Sequence, residues 1–100
     1  MASAYSNVVE YSHTATTDLI FNLVDTDLWL SNANIHCVTA DAKYGNTTDQ
    51  PATVNAGDIL VFDNFNLKDL YFKNAGAGVN TTIYVVGITM SKQKMAELGL

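Results

Sequence analysis

The sequence has no arginine and a single cysteine, and both absences narrow what the chain can do. All five basic residues are lysine, and the formal net charge is −5. Because the guanidinium fork that reads guanine or clamps phosphate is missing, neither nucleic-acid binding nor attraction to an anionic membrane is expected. Cys37 has no partner for an internal disulfide, which argues against an origin in an oxidising compartment.

Long apolar runs and dense charge are also lacking. No run approaches the about 20 apolar residues that cross a bilayer. The start, MASAYSNVVEYS, has neither the basic stretch nor the apolar core of a signal peptide. We therefore expect synthesis in the cytosol. Charged residues make up 15% of the chain, whereas ordinary domains carry about 25%. A length of 100 residues predicts one domain, residues 1–100.

Short β-type runs separated by polar links are what the chain does contain. The segments NVVEYSHTA, DLIFNLV, ANIHCVTA, LYFKN and TTIYVVGITM are rich in β-branched and aromatic residues and predict strands. In ANIHCVTA the alternation places Ala33, Ile35 and Cys37 on one face of a strand and the residues between them on the other. Seven or eight such strands predict an all-β fold, a single β-sandwich of jelly-roll type.

The links and the C-terminal segment complete this prediction. DAKYGNTTDQP is the longest polar link, and long ordered loops are often functional. DNFNLKD is predicted as a second link, and NAGD as a turn centred on Ala56 and Gly57. The tail SKQKMAELGL predicts a short C-terminal helix that Ser91 caps and Gly99 ends.

The glycine-rich link NAGAGVN could be a phosphate-binding loop or only a turn. Phosphate-binding glycine loops connect a strand to a helix and use the helix N-terminus as the anion site. This link is followed by TTIYVVG, which has strand character, and no Gly-Lys-Ser/Thr follows it. We therefore interpret the link as a hairpin turn whose glycines supply positive φ.

The candidate metal ligands do not form a convincing set. His36 and Cys37 are neighbours on a predicted strand, so their side chains point to opposite faces, and His13 is far away in sequence. The favoured interpretation places Cys37 in the core and His36 on the other face, with no metal and no cofactor.

Catalytic and calcium sites have equally little support. A Cys–His–Asp or Ser–His–Asp set is conceivable, but no nucleophile-elbow motif accompanies it, so the chain is not predicted to be an enzyme. DNFNLKD departs from the calcium loop because Phe65 and Leu67 stand where ligands are needed. The aspartates are interpreted as turn formers in predicted links. They are Asp25, Asp27, Asp41, Asp49, Asp58, Asp63 and Asp69.

Residues 52–86 resemble the small β-sandwich structural proteins of tailed phages and related viruses, of the capsid-decoration, cement or tail-tip kind. The shared features are a Gly-Asp turn (NAGDILVF), an aromatic strand (LKDLYFKN), a small-residue link (AGAGVN) and a final IYVVG strand. The resemblance implies a virion structural protein with no catalytic residues. AGDILVF is also similar to the glycine-turn strand of cupins, whose metal motifs need clustered histidines that this segment lacks.

The function expected from this resemblance is a capsid decoration, cement or minor capsid protein in the virion. Its partners would be the major capsid protein or another virion protein, and further copies of itself in a homotrimer. Two alternatives remain open, a carbohydrate- or protein-binding module and a cupin-like small-molecule-binding protein. Tyr5 near the start and Met95 and Leu98 near the end are expected to anchor the assembly contacts.

Overall fold

The computed structural model describes residues 7–100 and consists of eight strands and one short α-helix. A single-turn 3-10 helix, Leu67–Asp69, links two of the strands. The elements in chain order are β1 (Val8–Thr14), β2 (Phe21–Asn22), β3 (Trp29–Val38), β4 (Ala42–Gly45), β5 (Ala52–Val54), β6 (Ile59–Asn66), β7 (Tyr71–Asn74), β8 (Thr82–Thr89) and α1 (Lys92–Glu97).

The strands form two antiparallel four-stranded sheets, which we call sheet A and sheet B. Sheet A has the order β1-β8-β3-β6 and sheet B the order β2-β7-β4-β5. Successive strands therefore alternate between the sheets, and only β4 and β5 are both consecutive and paired. This alternation is the jelly-roll arrangement, so the predicted fold class, a jelly-roll sandwich with a short C-terminal helix, is confirmed.

The core lies between the sheets and follows from the two-residue period of the strands. Ala33, Ile35 and Cys37 are each at most 1% exposed, as the alternation in β3 predicts. Phe72 from sheet B and Ile83 from sheet A are fully buried against them. Burying one such large apolar side chain stabilises the fold by about 1.5–3 kcal/mol, so the facing rows hold the sheets together.

Irregularities in β3 and β6 change which side chains face the core. The register between β3 and β8 shifts between Leu30 and Asn32, which leaves Ser31 as an extra residue. Beside it, Asn64 in β6 has a φ of 52°. After this bulge Leu30 points inward and is fully buried. The segment DNFNLKD is therefore not a link throughout, because its first four residues belong to β6.

The two glycine-containing links are turns, as predicted, but they are not hairpins. Gly57 and Gly78 have φ values of 91° and 72°, which glycine adopts without steric cost. The first link joins β5 of sheet B to β6 of sheet A, and the second joins β7 of sheet B to β8 of sheet A. The hairpin interpretation is wrong because each link crosses between the sheets.

The polar segment 41–51 is shorter as a loop than its composition predicts. Four of its residues form β4, and only residues 46–51 connect β4 to β5. Asn46 shapes this turn, since its Oδ1 accepts the N–H groups of Thr48 and Asp49, both at 2.9 Å. The strand predicted over DLIFNLV shrinks to two residues, Phe21–Asn22.

The C-terminal helix begins and ends as predicted. Ser91 is the N-cap, and its Oγ accepts the N–H of Lys94 at 3.1 Å. Gly99 follows the last turn with a φ of 76°. Within residues 7–100, no helix has the length and apolar character that a bilayer crossing requires.

Candidate functional site

A cleft opens on the side of the sandwich where the edge strands of the two sheets, β1 and β2, lie together. We call it the Tyr11 cleft, and its volume is about 380 Å³. Sheet A contributes one residue to it, and the strand β2 and the link that follows it contribute the rest. The lining residues are Tyr11, Asn22, Leu23, Val24, Asp25 and Thr26.

The chain builds this cleft from an inward-facing tyrosine and a hydrogen-bonded link. Tyr11 packs against the core from β1. Two residues further on, the ring of His13 lies 4.5 Å from that of Phe21 in β2, which holds the two edge strands together. The Nδ2 of Asn22 donates to the carbonyls of Val24 at 2.7 Å and of Lys68 at 3.2 Å, which fixes the link after β2.

The Tyr11 cleft combines unused polar groups with apolar surface. Leu23 and Val24 pack on the edge of the core. Within residues 7–100, no hydrogen bond engages the Tyr11 hydroxyl, the Asp25 carboxylate or the Thr26 hydroxyl, so all three can contact a ligand. No lysine lines the cleft, and Asp25 gives it a negative charge. The arrangement therefore suits a neutral ligand that carries hydroxyl groups.

A second, smaller cleft of about 240 Å³ lies beside the link between β7 and β8, and we call it the Lys43 cleft. Lys43 of β4 and Lys73 of β7 are directly opposite in the ladder. In the described part of the chain, the only ion pair within 4 Å joins Lys68 to Asp27, so both lysines lack a carboxylate partner. The lining residues are Asp18, Lys43, Lys73, Asn74, Ala75, Gly76 and Ala77.

Asp18 is held in the wall of the Lys43 cleft as a carboxylate. Hydrogen bonds from the side chain of Asn74 and from the backbone N–H of Gly78 lower the pKa of Asp18 below its usual value. Both oxygens accept the Gly78 N–H, at 3.0 and 3.1 Å. This fixed negative charge lies among the groups that line the cleft beside the two lysines.

Cys37 lies in the core and is engaged in hydrogen bonds, which confirms its predicted placement. Its Sγ contacts the carbonyl of Ala40 at 3.1 Å and the Oγ1 of Thr81 at 3.4 Å. Burial raises the pKa of the Cys37 thiol, and the hydrogen bond with Thr81 opposes this rise. Thr81 in turn donates to the Ala40 carbonyl at 2.8 Å. A buried, protonated thiol of this kind is structural rather than nucleophilic.

The histidines lie apart from each other and from Cys37. His36 is on the outer face of sheet A, where its ring meets that of Tyr84 edge-on at 6.0 Å. His13 is at the β1 edge against Phe21. Residues 7–100 contain no group of three or more His, Cys, Asp or Glu side chains close enough to hold a metal ion.

The aspartates take different positions from one another. Asp41 caps the NAGD turn, because its Oδ1 accepts the N–H of Ala56 at 2.7 Å. Asp27 accepts a hydrogen bond from the side chain of Asn66 at 3.0 Å. Asp63 lies within β6 instead of in a link, and it accepts from Asn32 at 2.9 Å. The prediction of turn-forming aspartates therefore holds for Asp41 and is wrong for Asp63.

The residues expected to anchor an assembly lie at the two ends of the chain. Met95 and Leu98 are at the C-terminal helix, where Met95 is partly buried and Leu98 is 44% exposed. Tyr5 lies outside the described residues. The role of these three residues in assembly stays a prediction.

Comparison with known proteins places the fold but no family. No protein-family model matches the chain, and no curated protein matches it significantly. One similar solved structure is an RmlC-like cupin family protein with a double-stranded β-helix fold from Methanocaldococcus jannaschii. It has a TM-score of 0.52 and 8% identity over 100% of this chain and 81% of that one.

A second similar structure is an uncharacterised conserved protein with a double-stranded β-helix domain from Klebsiella pneumoniae. It has a TM-score of 0.53 and 15% identity, over 92% of this chain and 73% of that one. At these identities the likeness concerns the fold, and both neighbours share the double-stranded β-helix form of the β-sandwich.

These neighbours overturn the expected virion structural role. Neither is described as a viral, capsid or phage protein, so that prediction is wrong and the cupin-like alternative is better supported. The neighbours also give no support to the expectation that the chain is not an enzyme. The predicted capsid partner and homotrimer are untested by these comparisons.

The histidine cluster that holds a metal in cupins does not fit the residues present here. Apolar side chains such as Ile35, Phe72 and Val85 occupy the inner faces of the sheets. His36 points away from them, on the outer face of sheet A. A function for this chain must therefore be sought in its surface clefts.

Sequence reasoning missed the Tyr11 cleft. DLIFNLV was interpreted as a strand and DTD as a turn, whereas the residues between Phe21 and Leu28 form a cleft wall. One signal could have indicated it. Asn22 breaks the apolar run that Asp25 and Thr26 follow, and a polar group inside an apolar segment often marks a fixed link.

Proposed function

We propose that this protein binds a small, uncharged, polyhydroxylated molecule of the sugar class in the Tyr11 cleft. One observation carries the proposal. The unengaged polar groups of Tyr11, Asp25 and Thr26 stand beside the apolar Leu23 and Val24 in a cleft of about 380 Å³. Small-molecule sites typically measure about 300–1,000 Å³ and combine apolar walls with a few polar groups.

The chemistry of the lining matches the two surfaces of a sugar ring. Such a ring presents hydroxyl groups around its edge and C–H groups on its faces. The Asp25 carboxylate accepts hydrogen bonds from hydroxyl groups, and the hydroxyls of Tyr11 and Thr26 both donate and accept. Leu23 and Val24 supply apolar contact for the C–H groups.

Charge restricts the ligand further. The chain carries a net charge of −5, and the only charged residue among those lining the Tyr11 cleft is Asp25. An anionic ligand would meet repulsion there with no lysine to offset it. The preferred ligand is therefore neutral.

The Lys43 cleft supports an alternative ligand, an anion, less well. Lys43 and Lys73 would attract it, but the Asp18 carboxylate lines the same cleft and would repel it. Its volume of about 240 Å³ is also the smaller of the two. We therefore place the ligand in the Tyr11 cleft, and the fold shared with a cupin supports small-molecule binding over a virion role.

The test is ligand-detected NMR, with neutral monosaccharides and disaccharides as probes and a uronic acid as the charged comparison. We expect saturation transfer to a subset of the neutral sugars. Tyr11→Phe removes one hydroxyl and should weaken binding by about 3- to 10-fold, because a neutral hydrogen bond contributes about 0.5–1.5 kcal/mol. Asp25→Asn should weaken it by about tenfold or more, since charged hydrogen bonds are stronger.

Two matched variants serve as controls. Tyr84→Phe makes the same change on the outer face of sheet A, and Asp49→Asn makes it in the exposed turn after β4. Both should bind the sugar as the unaltered protein does. Preference for the uronic acid, or equal loss of binding in the cleft variants and the controls, would contradict the proposal.

A further inference from the structure

The outer face of sheet A is apolar, although it faces away from the core. We call it the outer A face. Val8 is 70% exposed, Val61 is 60% exposed and Ile59 is 52% exposed. Monomeric proteins seldom leave such side chains together in water. The apolar members of the face are Val8, Val38, Ile59, Val61, Tyr84, Val86 and Ile88.

The strand register makes these side chains one continuous patch. Asn34 of β3 stands directly between Val86 of β8 and Val61 of β6. One row further along, His36 stands between Tyr84 and Ile59. Neighbouring rows thus alternate an apolar residue on β8, a polar one on β3 and an apolar one on β6.

The outer face of sheet B has a different character. Lys43 and Lys73 project from it as cross-strand neighbours, which suits a surface exposed to water. The outer A face has no lysine. Its carboxylates, Glu10 and Asp63, lie on the edge strands β1 and β6, where the rim of an interface remains solvated. Only one of the two sheets therefore presents a face fit for burial.

We propose that the outer A face packs against the same face of a second copy of this chain to form a two-fold homodimer. The size of the face is appropriate. Four strands about 4.8 Å apart, each contributing about seven residues at about 3.3 Å, make a footprint on the order of 400 Å². Side chains that stand out from the sheet raise its accessible area towards the about 800 Å² that each partner of a standard interface buries.

The centre of the face is complementary to itself. Asn34 is exposed, and its side chain makes no hydrogen bond to another described residue. An amide carries both a donor and an acceptor, so two copies related by a two-fold axis can satisfy each other there. The surrounding valines and isoleucines of both copies would exclude water from that contact.

This arrangement leaves the Tyr11 cleft open. Tyr11 faces inward from β1, whereas Val8 and the other members of the outer A face point the opposite way. An isologous contact also closes with two subunits, in contrast to the trimer expected from the sequence. The dimer is therefore independent of ligand binding.

Analytical ultracentrifugation of the full chain over micromolar to submillimolar concentrations tests the proposal. The unaltered protein should sediment with twice the mass of one 10.8 kDa chain. Val61→Glu places a charge in the centre of the outer A face and should weaken association at least tenfold. Val79→Glu is the matched control, because Val79 is 53% exposed in the link between β7 and β8, and its variant should remain dimeric.

Asn34→Asp is a second variant of nearly identical shape that is expected to fold normally. It sets two carboxylates against each other at the two-fold axis, and it too should weaken association at least tenfold at neutral pH. A monomeric unaltered protein at submillimolar concentration would overturn the proposal and indicate a different partner for the face. Dimers that persist in both face variants, or that are lost equally in Val79→Glu, would overturn it as well.

Discussion

The side chain of Asn74 donates a hydrogen bond of 2.9 Å to the carboxylate of Asp18, across 56 positions of the sequence. The same amide donates to the carbonyl of Thr17 at 3.2 Å, and its oxygen accepts the N–H of Thr81 at 2.9 Å. Asn74 is 7% exposed. One buried amide thus joins the link after β1 to the link before β8.

Replacement of Asp18 should reduce stability in a pH-dependent way. Because the folded pKa of Asp18 is lowered from 3.8, the carboxylate stabilises the fold above that value, and this contribution is lost as the pH falls through the folded pKa. Asp18→Asn should therefore melt below the unaltered protein at pH 7, with a difference that narrows below about pH 4. Circular dichroism melts from pH 7 to pH 3 measure it. Asp49→Asn is the control, and a difference that stays constant with pH would contradict the assignment.

A side chain at position 45 should be costly. A Cβ on Gly45 would meet the Asp49 carbonyl oxygen and would lie 2.9 Å from the Cα of Gln50, both of which are backbone atoms of the following turn. Overpacking of this kind costs about 1–3 kcal/mol, so Gly45→Ala should lower the free energy of unfolding in urea by that amount. Gly76→Ala is the control, because its Cβ would meet nothing nearer than 3.8 Å. Equal stability of the two variants would show that the turn is not packed as described.

The thiol of Cys37 should be unreactive while the protein is folded. Burial excludes reagents and raises the thiol pKa, so little thiolate is present at pH 8. We expect no reaction with a disulfide reagent such as dithionitrobenzoate in native buffer, and one equivalent in guanidinium chloride. Thr53→Cys places a second thiol at an exposed position of β5 and should react at once in the folded protein. Rapid native labelling of the unaltered chain would place Cys37 at the surface instead.

Local patterns in the sequence predict much of this fold. Alternation in β3 identifies Ala33, Ile35 and Cys37 as core residues because strand geometry alone sends every second side chain inward. Ser91 marks the start of the helix because the serine side chain satisfies a free N–H of the first turn. Both signals act within a few residues and need no knowledge of the partner strand.

Features that depend on partners distant in sequence escape prediction. The bulge at Ser31 exists only relative to β8, and it decides that Leu30 faces the core. Likewise β4 is polar in composition, and its pairing with β5 and β7 makes it a strand. The glycine links resemble hairpins locally, yet which sheet the next strand joins is set by the whole chain.

The candidate site could not be predicted for the same reason. Tyr11 lies in β1, and the rest of the cleft wall begins at Asn22, so the cleft arises only when the edge strands of two sheets meet. Sequence texture over residues 52–86 pointed instead to virion proteins. That texture reflects a jelly-roll strand pattern, which cupins share, and so it carries information about the fold rather than about the function.

The position of β8 has a consequence for how the chain acquires its structure during synthesis. β8 is one of the last elements made, yet it lies between β1 and β3 and hydrogen-bonds to both. Until Thr82–Thr89 has left the ribosome, β1 has no neighbour in its sheet. Only the β4–β5 pair can form early from adjacent residues. The nascent chain must therefore remain unassembled until almost all of it has emerged, and its first strand, with exposed pairing edges, depends on late completion to escape aggregation.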